Sequence, residues 1–164
     1  MTPNDNPNTV QFVVIDEGIA ERKALGMDEF EVTFLSVARH LFANFHAPEN
    51  HCWMDAFMEA ERSFPPPFGA TIAHAIAYIV EAMRCTRHSM FSYIRNDDAS
   101  ADLAITREER YLVQVLRAMR SSAHTQARTQ AMLLCDGGDT GKLLAAIERL
   151  CLITGDVSEL RFQQ

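Results

Sequence analysis

The chain has 164 residues, 48% hydrophobic and 23% charged, which is the ordinary range for one soluble globular domain. A chain of this size buries roughly 70% of its unfolded surface, enough for a core without disulfide or metal staples. These counts exclude collagen-like, mucin-like, disulfide-scaffold and disordered classes, and they select no activity.

Twenty-two acidic and fifteen basic side chains give a net charge of −7, which repels polyanions at long range and makes nucleic acid an unfavourable partner. The charge is uneven: residues 1–62 hold 11 acids and 4 bases, residues 63–134 hold 6 and 8, and the remainder 5 and 3. Cys52, Cys85, Cys135 and Cys151 show no CxxC spacing, and no leader pattern follows Met1. They read as reduced thiols of a cytoplasmic protein. The longest uncharged run, residues 63–80, contains Pro65, Pro66, Pro67 and His74. Its helical part is shorter than the roughly 20 apolar residues a membrane span needs, so none is expected.

In chain order, residues 1–8 are polar with two prolines and read as a loose segment. Residues 9–15 (TVQFVVI) are β-branched and strand-like by propensity. A single strand has nothing to pair with. The segment is therefore expected to begin a first helix reaching about Leu25, with an extended N-terminal arm pairing with another subunit or partner as the alternative. After Gly26, Asp28 and Glu31 form an Asp-x-x-Glu capping pattern before Phe30, Phe34, Val37, Leu41 and Phe45. Pro48 suits the first turn of the next helix, which carries Trp53, Phe57 and Met58 and stops at the proline triplet.

Neither Gly nor Pro occurs from Ala70 to Asp136, a stretch dense in good helix formers. A long helix is expected from about Phe68 to Tyr93, with Ile72, Ile76, Ile79, Met83 and Met90 on one stripe. Residues 96–104 read as a polar loop. Thr106 and Glu109 then cap a helix predicted to reach about Leu134, with Leu112, Leu116, Met119 and Ala123 facing inward. After a turn at residues 136–141, Asp139 or Thr140 begins a last helix that stops near Gly155. The sum is an all-α, single-domain bundle of five or six helices over residues 9–155, with a tail at 156–164.

Four constellations bear on chemistry. His74, Glu81, Cys85 and His88 form a polar stripe beside Tyr78, and Glu81, Cys85 and His88 are close enough to share zinc or iron. His74 is too far along to join them, about 10 Å from Glu81 at a rise near 1.5 Å per residue. A further ligand would have to come from His51, Cys52 or Asp55; the plain alternative is a solvated helix face. His51, Asp55 and Glu59 recur at i, i+4 and i+8 as an acid–base candidate, with a solvent face as the competing reading. Cys52 and Trp53 point elsewhere and read as core.

The string DGGDTGK at residues 136–142 lacks phosphate-loop spacing: only three residues separate Gly137 from Gly141, and Leu143 follows Lys142. It reads as one helix ending and another beginning. Arg110, Arg117, His124 and Arg128 form a basic stripe that suits an acidic protein partner, or pairs with the acidic front half of the same molecule. No catalytic constellation stands out, so the chain reads as a regulatory, adaptor or subunit protein acting through protein contacts, with self-association. The alternative is a metal- or small-molecule-binding helical sensor, its site between the second to fourth helices and its cofactor unidentified, a transition metal being one candidate.

Overall fold

Asp28 accepts a hydrogen bond from the Glu31 backbone N–H at 2.8 Å, and the Glu31 carboxylate accepts from the Asp28 N–H at 3.1 Å. This reciprocal box satisfies two of the orphan donors at the start of helix α1, Glu29–His46. The computed structural model describes residues 11–14, 20–21 and 25–162, with side chains at 11–13 and 25–155. The expected loose segment at residues 1–8 lies outside these described residues, as do the side chains of the expected tail.

Six α-helices occur among the described residues. After α1 come a 3-10 turn, Pro48–Asn50, then α2, Cys52–Ser63, and α3, Phe68–Thr86. These are followed by α4, Arg107–Arg120, α5, His124–Leu134, and α6, Gly141–Phe162. The architecture is all-α in one domain. α1 packs on α2 and α3, α3 on α6, and α4 on α5. Thr106 caps α4 with the same reciprocal box, using Glu109.

Four short strands depart from the expected pattern. β1, Phe12–Val14, pairs in parallel with β3, Phe91–Tyr93; β2, Ala20–Glu21, pairs antiparallel with β4, Ala104–Ile105. Within the TVQFVVI segment, Phe12 to Val14 therefore find a partner in their own chain, where a helix or an intermolecular arm is expected from the sequence. Its partner strand was concealed because Met90, seven residues after Met83, continues the helical stripe in sequence up to the edge of residues 91–93. The long helix instead ends at Thr86, and Met90 is exposed.

The expected helix to Leu134 is also divided: Ser122 takes a left-handed φ of 59° between α4 and α5, a conformation that short polar residues tolerate best after glycine. At the other end, α6 continues to Phe162 rather than stopping near Gly155.

The core forms where the β1–β3 ladder meets α1. Phe42 lies 4.6 Å from Phe91 and 5.2 Å from Phe12 between ring centroids, and Tyr93 closes the cluster at 5.7 Å from Phe42. His46 Nδ1 lies 2.8 Å from the Phe12 carbonyl and pins the strand to the end of α1. Ile72, Ile76, Ile79 and Met83 of α3 bury fully beneath the same cluster, as do Leu112 and Leu116 of α4. A smaller cluster of Leu35, Ile105 and Val113, with Leu25 and Met27 against it, sits beside the β2–β4 pair.

Between these apolar regions lies a buried ion pair. Arg39, on α1, donates through Nε and Nη2 to both carboxylate oxygens of Glu109 at 2.8 and 2.9 Å, and to the carbonyls of Ala101 and Ala104. Glu109 also accepts from the backbone N–H groups of Ile94 and Thr106. The pair thus fastens α1 to α4 and to the irregular segment between β3 and α4.

Candidate functional site

The stripe on α3 does not assemble a metal centre. Glu81 is engaged by Arg84 through two hydrogen bonds of 2.9 Å, and Cys85 donates to Glu81 at 3.4 Å. The Arg84 hydrogen bonds outweigh burial and hold the Glu81 carboxyl below its usual range. Burial, aided by the Glu81 hydrogen bond, pushes the Cys85 thiol up and disfavours thiolate. His88 falls beyond the end of α3, where its backbone N–H donates to Asp136. His74 is exposed and lies edge-on to Tyr78 at 5.1 Å. Among the described residues no three His, Cys, Asp or Glu side chains are placed to hold a metal ion. The metal set His51, Cys52, Glu81, Cys85 and His88 is therefore not brought together: the first two stand at the start of α2 and the others near the end of α3.

The acid–base candidates also separate. Glu59 pairs with His40 of α1 at 2.8 Å rather than with His51. Burial raises the Glu59 carboxyl, but hydrogen bonds from His40 and Ser36 outweigh it and lower its pKa. His51 is exposed in a left-handed conformation at the start of α2. The 136–142 string is a helix junction: Gly137 takes φ +75° and the Asp139 side chain accepts from the Gly141 N–H at 2.9 Å.

The basic stripe is broken by the α4–α5 junction. Arg117 turns into the molecule, donating to Glu31 at 2.7 and 3.0 Å and to the carbonyls of Leu25 and Gly26. Arg120, which the sequence pattern left out, donates to Asp28 at 2.7 Å and covers the Phe30 ring at 4.7 Å. Arg110 is partly buried, while His124 and Arg128 are exposed on α5. Of the two readings of this stripe, internal pairing with the acidic front half describes Arg117.

Two features that the sequence pattern did not single out remain. The first is the outer face of α2. Only Ala56 and Ala60 of this helix are buried, whereas Trp53, Met54 and Met58 are 45%, 52% and 52% exposed. Trp53 had been expected in the core; it instead lies edge-on to Phe57 at 6.2 Å. The small residues face inward because α3 approaches closely: a Cβ on Gly69 would stand 2.5 Å from the Glu61 Cα. The second is an open cavity of about 640 Å³ between the start of α1, the end of α2, the α4–α5 junction and the middle of α6. Of the expected second to fourth helices, which correspond to α1, α2 and α3, the first two line this cavity and α3 does not.

Comparison with protein-family models, curated proteins and solved structures found no match for this chain. Among the described residues no helix is long and apolar enough to cross a membrane.

Proposed function

We propose that this protein is a helical regulatory, adaptor or subunit protein that acts through protein contacts, and that the outer face of α2 pairs it with a second copy of itself. The carrying observation is the contiguous exposure of Trp53, Met54 and Met58 on a helix that buries only two alanines. Exposed aromatic and methionine side chains grouped on one face favour an interaction surface over isolated surface apolar residues.

Self-complementary charge favours a second copy as the occupant. With two α2 helices antiparallel, Met54 of one copy meets Met58 of the other. Glu49 and His51 at one end then approach Arg62 and Glu61 at the opposite end, which is the repeated, two-fold pattern of an isologous contact. The 12-residue helix is about 18 Å long, so the face suits a transient association in the micromolar class rather than an obligate dimer.

Sedimentation velocity from low to high micromolar concentration tests the reading, with the emission of Trp53, the single tryptophan, as a local reporter. The expected result is a concentration-dependent dimer with a blue-shifted emission, abolished by Met54→Glu with Met58→Glu at unchanged helicity. A chain that stays monomeric at high micromolar concentration overturns the proposal, and so does a dimer indifferent to those substitutions.

A further inference from the structure

We infer that the cavity between the ends of α1, α2 and α4 and the middle of α6 binds a small organic cation, an ammonium ion carried on an aromatic or alkyl body. Its volume of about 640 Å³ lies within the range of small-molecule sites. Phe30 and Phe64 meet edge-to-face at 6.0 Å on its lining, with half-buried Met119 beside them and exposed Leu152 at the rim. Glu29 on α1 and Glu148 on α6 stand on the lining as exposed carboxylates.

The charge around the cavity decides the sign of the ligand. Arg120 lines it, but its guanidinium is already shared between Asp28 at 2.7 Å and Glu31 at 3.6 Å, and lies over the Phe30 ring. Arg117 is held by Glu31. Asp28, Glu29, Glu31 and Glu148 thus face two arginines, and neither Glu29 nor Glu148 has an ion-pair partner among the described side chains. The remaining titratable groups are His124, exposed on α5, and Cys151, whose thiol burial keeps protonated. An anion entering here meets two carboxylates that no described cation neutralises. A cation meets their field and the ring of Phe64, the Phe30 ring already lying under the Arg120 guanidinium; aromatic faces attract ammonium groups most strongly where water is thinned.

Three probes of equal size separate charge from shape: 2-phenylethylammonium, 2-phenylethanol and phenylacetate. Binding is followed by calorimetry, and its place by iodoacetamide alkylation of Cys151 resolved by peptide mass spectrometry, with exposed Cys85 as internal reference. The ammonium is expected to bind tightest and to slow alkylation of Cys151 but not of Cys85. Glu29→Gln and Glu148→Gln, both at exposed positions, should each weaken the ammonium by about threefold and leave phenylethanol unchanged. Phenylacetate binding as tightly as the ammonium overturns the inference, as does an ammonium that fails to bind or leaves Cys151 unprotected.

Discussion

Arg39 and Glu109, 70 positions apart in the chain, meet in a bidentate ion pair with side chains only 2% and 0% exposed. Two charges removed from water this completely are tolerable only because nearly every remaining donor and acceptor is used, by the carbonyls of Ala101 and Ala104 and the N–H groups of Ile94 and Thr106. Arg39→Met should therefore strand a buried carboxylate and two carbonyls. Its cost is expected at about 3–5 kcal/mol, read from urea unfolding monitored by circular dichroism. A loss below about 1 kcal/mol would show that water or a rearranged side chain replaces the guanidinium without penalty.

Gly69 and Gly155 make opposite predictions for the same substitution. At Gly69 a Cβ would lie 2.5 Å from the Glu61 Cα and 2.9 Å from the Ala60 carbonyl oxygen, so α2 and α3 must separate. Gly69→Ala should cost about 1–3 kcal/mol as overpacking. At Gly155, inside α6, a Cβ would meet nothing within 4 Å. Gly155→Ala should stabilise by about 0.5–1 kcal/mol through the lost backbone freedom of the unfolded chain. Paired thermal melts decide both, and a neutral Gly69→Ala would mean that the two helices have room to part.

Stability should fall in acid through two aspartates that tie distant segments. At Asp28, burial raises the carboxyl, but the Glu31 N–H and Arg120 outweigh it and lower the pKa. At Asp136, burial is outweighed by the backbone and side chain of Ser89 and by Arg87. A carboxyl depressed on folding contributes fully above its unfolded value near 4, and the contribution is lost as pH falls through the lower folded value. The unfolding midpoint should accordingly decline below about pH 4, and Asp28→Asn with Asp136→Asn should flatten that decline while lowering the plateau at neutral pH. An unchanged slope in the double variant would assign the acid sensitivity to other carboxyls.

The helices were legible wherever a local rule set them. The Asp28–Glu31 and Thr106–Glu109 boxes marked the starts of α1 and α4, and the isoleucine stripe marked the buried face of α3. What escaped was decided over long separations. Met90 keeps the helical spacing with Met83 at i+7, yet the next residues, Phe91 to Tyr93, form a strand because Phe12 to Val14 are there to pair with them. Arg39 did leave a trace, since it continues the face of Leu35 and Phe42 at i+4 and i+3, where a charged residue demands a partner. Nothing in its neighbourhood names Glu109. The metal stripe was misleading because spacing alone ignores competition: Arg84, one turn away, had already engaged Glu81. Trp53 was misplaced because its type suggests burial, whereas the close approach of Gly69 reserves the inner face of α2 for alanines.

The parallel ladder of β1 and β3 sets a timetable for the newly made chain. Phe12 emerges from the ribosome long before Phe91 has been synthesised, so the aromatic cluster that they complete cannot close during that interval. The helices between them, α1 to α3, are made before that side of the core can close, and α4 and α6, which bury Leu112, Leu116, Leu143 and Ile147 in the same core, are made later still.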